Sequence, residues 1–473
     1  MKILFAVDQL GFIDPMGIAC LSGVAREQGH ERFLCVLQRQ DISERIKEVK
    51  PDVIAYSFNS GEADSIFKIH NEKVKPTGIF SIMGGAHPTF NPDSIGESGA
   101  DAYCVGEGEA VFGEVLQALD HGESVETIAG IRTVKTSNPL HHLVDLNTLP
   151  MPDRDLVLGN TPLGDFPRKT FFASRGCPFN CTYCLNPAFR MMFKGKGNWF
   201  RRYSVDRVLS EIKAVKSKYR LEFVKFDDDL FTMKADEWLE EFAERFPAEI
   251  GLRFNCLLRL DYVTDPLLKL LKKAGCYSII LAIDSASPRI RTEILDRKVS
   301  KSNEELSASL RLIKKYGINS YVNYITSLPT ATEDDEIGTI KISREGQLSY
   351  ANYSALVPFK GTGIWQYCKD HGLYDSEVVP KSLMQPSPVK GFTPQQKRVQ
   401  RNVLLLGAWA ATVPAWVSWL FIQSIRHIPP NKLFVVLYSL LRSYRMGTKM
   451  YPIKTNFLKA GYRAFVGNMK DAG

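Results

Sequence analysis

KTFFASRGCPFNCTYC, residues 169–184, runs from an apolar, strand-like segment straight into three cysteines spaced C-x3-C-x2-C. Thiolates are soft ligands suited to iron–sulfur clusters, and a [4Fe–4S] cluster normally takes four of them. Three in one short loop, Cys177, Cys181 and Cys184, leave one iron corner open to another ligand. Zinc is the competing reading. A structural zinc site wants four ligands from two pairs, and neither a second C-x2-C nor a suitably placed histidine follows. The other six cysteines (Cys20, Cys35, Cys104, Cys256, Cys276 and Cys368) are scattered in apolar surroundings and read as small buried hydrophobes.

Outward from this loop, strand-like runs alternate with helical patterns. Downstream come FVKFD (223–227), LRFNCL (252–257), YSIILAI (277–283), NSYVNYI (319–325) and YSALVP (353–358). With KTFFAS (169–174) they make six βα units. The pattern predicts a partial (β/α)6 barrel over residues 169–375, with its reactive face at the C-terminal strand ends. Upstream, KILFAVD (2–8), RFLCVL (32–37), DVIAYS (52–57), GIFSIMG (78–84) and DAYCVG (101–106) predict a separate α/β domain over 1–135. It should be doubly wound and Rossmann-like, of the flavodoxin-like kind. Its small, turn-forming segments, Gly11 to Gly17, Ser57 to Gly61, Gly84-Gly85 and Gly106 to Gly108, fall where such sheets hold ligands. Gly106-x-Gly108 lacks the third glycine of a dinucleotide fingerprint, which argues against NAD. The Pro-rich LNTLPMPDRD (146–155) marks a linker, taken as 136–168.

The net charge of +8 is unevenly placed. No acidic residue occurs between Glu377 and Asp471, a stretch with fourteen Lys and Arg, from Lys381 to Lys470. Without them the chain has 46 basic against 52 acidic residues, so a mildly acidic body carries a basic region over 376–473. Within it, 402–425 is uncharged and holds Trp409, Trp416 and Trp419, and LFVVLYSLLRSYRM (433–446) is amphipathic. Three arrangements compete: a membrane span, a helical layer on the barrel, and a segment lying in a membrane interface. Tryptophans with basic flanks favour the last, so an anionic membrane surface is the expected partner of this region. Nucleic acid is not expected, because the region is too apolar and holds no binding module. The N-terminus lacks the features of a signal peptide. The expected location is cytoplasmic, peripheral on the inner face of the cytoplasmic membrane.

The cysteine loop resembles the motif of the radical S-adenosylmethionine (SAM) superfamily. The resemblance implies Cys177, Cys181 and Cys184 as ligands of a [4Fe–4S] cluster and Tyr183 as an aromatic packed near the SAM adenine. FDDDLF (226–231) is similar to the family's second-strand segment, which assigns Asp228 and Asp229 to SAM. GCYSIILAIDSASPRIRTEILDR (275–297) resembles the segment in which a strand ends in Glu-Ser, here Asp284-Ser285, one methylene shorter. Arg259 falls where the family tends to place an Arg near the cofactor. In NYITSLPTATE (323–333) the family's Gly-Leu-Pro-Gly has become Ser-Leu-Pro-Thr.

Residues 14–31, 55–60, 84–93 and 101–109 resemble the cobalamin-binding (B12-binding) domain that precedes the barrel in one large radical SAM class. This class is related to anaerobic Mg-protoporphyrin monomethyl ester cyclases and cobalamin-dependent methyltransferases. The resemblance assigns Ser57, Ser60, Gly84, Gly85, His87, Gly106, Glu107 and Gly108 to the cobalamin site. Proteins that hold cobalt through a histidine use Asp-x-His-x-x-Gly after the first strand, whereas this chain has Asp8-Gln9-Leu10, so cobalamin is expected without a histidine ligand from that loop. His87 is the nearest alternative and reads mainly as a structural loop residue. The activity implied is SAM cleavage at the cluster to a 5′-deoxyadenosyl radical, then methylation of an unactivated carbon. A lipophilic substrate and a flavodoxin- or ferredoxin-like electron donor go with it. A cyclase, oxidase or coupling enzyme of the same class, and a binding protein with a relict cluster, are the alternatives.

Overall fold

Alternate residues of the first strand, β1 (Lys2–Val7), enter two different cores. Ile3, Phe5 and Val7 pack with α1 (Met16–Glu27) and α4 (Glu109–Asp120). Leu4 and Ala6 pack with α2 (Ile42–Val49) and α3 (Ala63–Ile69). A strand apolar on both faces calls for helices on both, which is what makes the sheet doubly wound. Its strands are β1, β2 (Glu31–Val36), β3 (Val53–Ser57), β4 (Phe80–Gly84), β5 (Ala102–Cys104) and β6 (Ile131–Arg132), in the order β2-β1-β3-β4-β5-β6. The first five pair in parallel. β6, a two-residue edge strand too short to be legible in the sequence, is antiparallel.

The computed structural model describes residues 1–10, 14–299, 301–375 and 384–453. Gly11 of the first loop and Lys381, Lys454, Lys459, Arg463 and Lys470 of the basic region lie outside them. The chain forms two compact units. One comprises 1–170, 189–203 and 210–221; the other comprises 171–188, 204–209 and the described residues from 222 onward.

The Pro-rich passage expected as a linker is part of the first unit. Asp153 is buried and caps a short helix, Arg154–Leu158; it accepts from Leu156 N–H, from Ser22 Oγ at 2.7 Å and from Arg32 Nε at 3.3 Å. Buried Arg154 donates to Glu211, to the Thr170 carbonyl and, at 3.5 Å, to Asp14. Proline and aspartate here make a capped, ion-paired strap, a use of turn residues that composition does not distinguish from a loose connection.

The second sheet runs β7 (Arg168–Phe171), β8 (Phe223–Phe226), β9 (Arg253–Leu257), β10 (Cys276–Asp284), β11 (Asn319–Thr326) and β12 (Tyr350–Ala355), neighbours in strict chain order. β8 through β12 pair in parallel. β7 and β12 remain edges, so the barrel is incomplete. Helices α5 (Val205–Lys218), α6 (Glu237–Glu249), α7 (Asp265–Lys273), α8 (Asn303–Lys315) and α9 (Glu333–Glu345) make the crossovers. Phe226, Phe231, Phe242, Phe246 and Phe254 interlock at ring separations of 4.9 to 6.3 Å and fix α6 on β8 and β9.

The uncharged stretch 402–425 divides at Val413-Pro414 into α10 (Pro394–Thr412) and α11 (Ala415–His427). Proline lacks the N–H that would carry the first helix onward. Among the described residues no helix is long and apolar enough to cross a membrane, which leaves the span without support among the three arrangements. α10 forms a helical layer on the barrel, packed on α9 and β12. Gly407 lies so close to Tyr353 that an added Cβ would be 2.7 Å from the ring. A further helix, α12 (Lys432–Arg445), also packs on α10.

Under α10 lies Glu336, fully buried, accepting from Ser327 N–H at 2.8 Å, while Ser327 Oγ donates to Gln400. Burial pushes the Glu336 carboxyl up to about 8. The neutral acid is therefore the form the fold favours. Below the ordinary glutamate pKa both folded and unfolded chains are protonated here; above it only the unfolded chain ionises. Stability from this residue is thus present at low pH and lost as pH rises toward and through about 8. Glu336→Gln is expected to flatten the fall in denaturation midpoint between pH 5 and 8.5, read from chemical unfolding at fixed pH.

Candidate active site and cofactor slot

The cysteine loop leaves β7 and is held in place by its neighbours within the second unit. Thr182 N–H and Oγ1 donate to the carbonyls of Leu295 (3.0 Å) and Ile294 (2.7 Å), and Ile364 N–H donates to Thr182 O. At the root of the loop, Asp228 Oδ1 accepts from Ala173 N–H, Ser174 N–H and Ser174 Oγ. So restrained, Cys177, Cys181 and Cys184 line one cavity of about 180 Å³ at the C-terminal ends of the strands. Phe179, Tyr183, Asn186, Asp229, Arg259, Arg297 and Asn323 share its wall, with Leu230, Leu257, Leu258, Ile280 and Leu281 as the apolar part.

Burial pushes the Cys177 thiol up to about 11, opposed by Phe179 N–H. Burial also raises Cys181 and Cys184, the latter opposed by Asn186. Asn186 donates to Cys184 Sγ from its backbone (3.4 Å) and side chain (3.6 Å), support that suits a thiolate once iron is bound. Among the described residues no three His, Cys, Asp or Glu side chains converge where one metal ion would sit. A cubane takes each thiolate on a different iron, and three thiols on one cavity wall are the donor set it needs.

The residues assigned to SAM divide into two groups. Asp229 faces the cavity; burial raises its carboxyl, against hydrogen bonds from Asn186 and Gly176 N–H. Asp228 is the staple just described, pushed up to about 7 by burial, and is absent from the wall. Arg259 lines the cavity, bidentate to Asp261 at 2.7 and 3.0 Å, with its guanidinium 3.8 Å above the Phe179 ring. Its Nη1 is buried without a partner and is a ready donor to a carboxylate.

Asp284, expected to face SAM, is instead buried behind the wall, at φ +66°. Its Oδ2 accepts from Tyr183 OH at 2.9 Å and from Arg297 Nη1 at 2.5 Å, and Arg297 Nη1 also donates to Tyr183. Burial opposes the Arg297 charge, but Asp284 and Tyr183 more than offset it and hold Arg297 above its ordinary value. This trio fixes the ring of Tyr183 between the second and third cysteines. Ser285 is likewise buried, accepting from Ser287 N–H. Sequence reasoning missed Arg297, Asn186 and Asn323. Arg297, in ILDRK, reads as the solvated end of a helix; Asn186, two residues past the last cysteine, was the one with a signal.

The first unit holds its own slot, about 160 Å³, at the C-terminal ends of β3, β4 and β5. Ser57, Gly84, Gly85, Gly106 and Gly108 line it, together with Gly17, Leu21, Cys104, Glu109 and Phe112. A Cβ on Gly85, at φ +100°, would stand 2.6 Å from Phe58 O. Glycine is therefore required at this turn by its positive φ and by the Phe58 backbone packed against it. Three expected residues are elsewhere: Ser60 bonds His87 Nδ1 at 3.1 Å, His87 Nε2 reaches Ser94 Oγ at 3.2 Å, and Glu107 pairs with Arg201. His87 also stacks on Phe58. Both its nitrogens are engaged, so it works as a loop brace, and no histidine is among the slot's lining residues.

A glycine-lined slot on a flavodoxin-like sheet and a three-thiol cavity at the mouth of an incomplete barrel define a radical SAM enzyme with a B12-binding domain. The family models agree: a B12 binding domain matches residues 6–116 and the Radical SAM superfamily residues 172–341. An uncharacterized methyltransferase of Pyrococcus horikoshii is 27% identical over 75% of this chain and 78% of its own. A hopanoid C-3 methylase of Methylococcus capsulatus is 23% identical over 79% and 74%. The radical SAM methyltransferase TsrM of Kitasatospora setae shares the fold across 99% of both chains, with a TM-score of 0.69 at 16% identity. The chain thus carries a B12 binding domain followed by a Radical SAM domain.

Proposed function

We propose that this enzyme transfers a methyl group from SAM to an unactivated carbon of a lipophilic small molecule, at or near an anionic membrane surface. The observation that carries the reading is the three-thiol cavity, with Arg259 and Asp229 on its wall, in a chain that also folds a glycine-lined slot. When bound, the cluster supplies an electron that cleaves SAM, and the corrinoid carries methyl. A flavodoxin- or ferredoxin-like donor would charge the cluster. Arg259 Nη1 would bind the SAM carboxylate and Asp229 its ammonium, and the Tyr183 ring would flank the adenine. The leucine and isoleucine wall excludes water from the reacting centre. The similarity to a hopanoid C-3 methylase supports a lipid-like substrate.

With the anaerobically reconstituted enzyme and its substrate, two SAM are expected to be consumed per product, giving one S-adenosylhomocysteine and one 5′-deoxyadenosine, both countable by mass spectrometry. One SAM per product with no added methyl would move the assignment to a cyclase or oxidase. Absence of deoxyadenosine would make the cluster a relict.

A further inference from the structure

Ten large hydrophobic side chains stand out as exposed in the described structure, and seven of them lie between Trp416 and Tyr444. They form stripes. On α11, Trp416, Trp419 and Leu420 recur at i, i+3 and i+4, with the tryptophans 71% and 59% exposed. On α12, Leu433, Leu440 and Tyr444 recur at i, i+7 and i+11, each 58% exposed or more. Such spacing places each set on one helical face. The opposite faces are already used. Ser418 Oγ bonds the Ala410 carbonyl of α10 and Phe421 stacks on Trp409, while Phe434, Val435, Tyr438 and Leu441 of α12 are buried. A helix apolar on every side is ordinarily covered on every side. Here the outer faces are bare.

Charge selects what covers them. The sequence offers no carboxylate from 378 to 470, whereas Lys432 is exposed at the start of α12 and Arg445 lies beside Tyr444 near its end. Arg426 is not free for a partner, being paired with Glu333 and Asp334. Two copies of this chain meeting through these faces would set Lys432 and Arg445 against like charges. An anionic bilayer offers tryptophan-compatible headgroups, acyl chains for leucine and negative charge for the cations. We propose that α11 and α12 are a monotopic docking element, lying in the interface of an anionic bilayer with these six side chains inserted. This rests on the lipophilic-substrate reading, and names the face by which the enzyme reaches a membrane-dissolved substrate.

The test uses the full-length protein and vesicles of phosphatidylcholine with phosphatidylglycerol, against phosphatidylcholine alone. Co-sedimentation with anionic vesicles is expected, falling several-fold between low and high salt. The Trp416→Ser/Trp419→Ser/Leu433→Ser variant should bind at least roughly tenfold more weakly. Its deoxyadenosine formation from SAM and dithionite should be unchanged. The proposal is overturned if wild type ignores anionic vesicles, binds neutral ones equally, or binds no better than the variant. It is also overturned if the wild type self-associates in a way the variant abolishes. Vesicle binding by an enzyme that transfers no methyl would sink the functional reading and leave the docking face standing; methyl transfer without vesicle binding would do the reverse.

Discussion

Alanine at Cys177, Cys181 or Cys184, one position at a time, is expected to abolish SAM cleavage and to take the anaerobically reconstituted protein from about four irons per chain to near none. The effect is all-or-none because the three thiols are the whole of the protein's ligand set on that cavity wall, and no other cysteine lines the cavity. Cys256 and Cys276 are on the adjacent strands β9 and β10 but are buried within the sheet. Each thiol must also lose a proton that burial holds on, Cys177 with a value raised to about 11, so assembly draws on the binding of iron itself. Two remaining thiolates offer a cubane too little to offset that. The fold should survive, since Thr182 and Asp228, not the thiols, anchor the loop. Far-ultraviolet circular dichroism and the denaturation midpoint are expected to stay near wild type. Retention of iron and deoxyadenosine production by any one of the three variants would refute the assignment of the ligands.

Residues whose role follows from backbone or spacing were legible in the sequence. The C-x3-C-x2-C run marks three thiols that do share one cavity wall, and the glycine pairs at strand ends fall on the wall of the slot. The two sheets followed from alternation of apolar runs with helical periods, to within a few residues at most strand ends. What stayed hidden was direction. Asp228 and Asp229 are adjacent in one acidic run, and only the pleat and the turn after β8 send one into the loop root and the other into the cavity. His87 and Ser60 resemble ligands by residue type, yet they bond each other. The uncharged stretch 402–425 has the length of a span. Its division at Pro414 and the fit of Gly407 against Tyr353 depend on what packs there, which local sequence does not record.

The shortened acid at the end of β10 has a structural reason that yields the second large effect. Asp284 sits at φ +66°, a left-handed conformation that aspartate and asparagine tolerate and longer or branched side chains resist. From there its carboxylate meets a fully buried guanidinium that also braces Tyr183. Asp284→Ala would leave Arg297 charged, buried and unpaired. Breaking one side of such a pair costs about 3–5 kcal/mol, and the expected result is a loss of that size in chemical denaturation of the barrel unit. Asp284→Asn keeps the backbone preference and one acceptor, so it should cost clearly less. Pairing Asp284→Asn with Arg297→Met removes the stranded charge and should recover part of the Asp284→Ala loss. The consequence for the site is local: with Tyr183 unbraced, the thiols of the iron-free protein should react faster with a disulfide reagent, before any global unfolding. If Asp284→Ala costs less than about 1 kcal/mol, the range of a surface pair, and leaves thiol reactivity unchanged, the carboxylate is not bracing the cysteine loop. Its place behind the wall would then need another explanation.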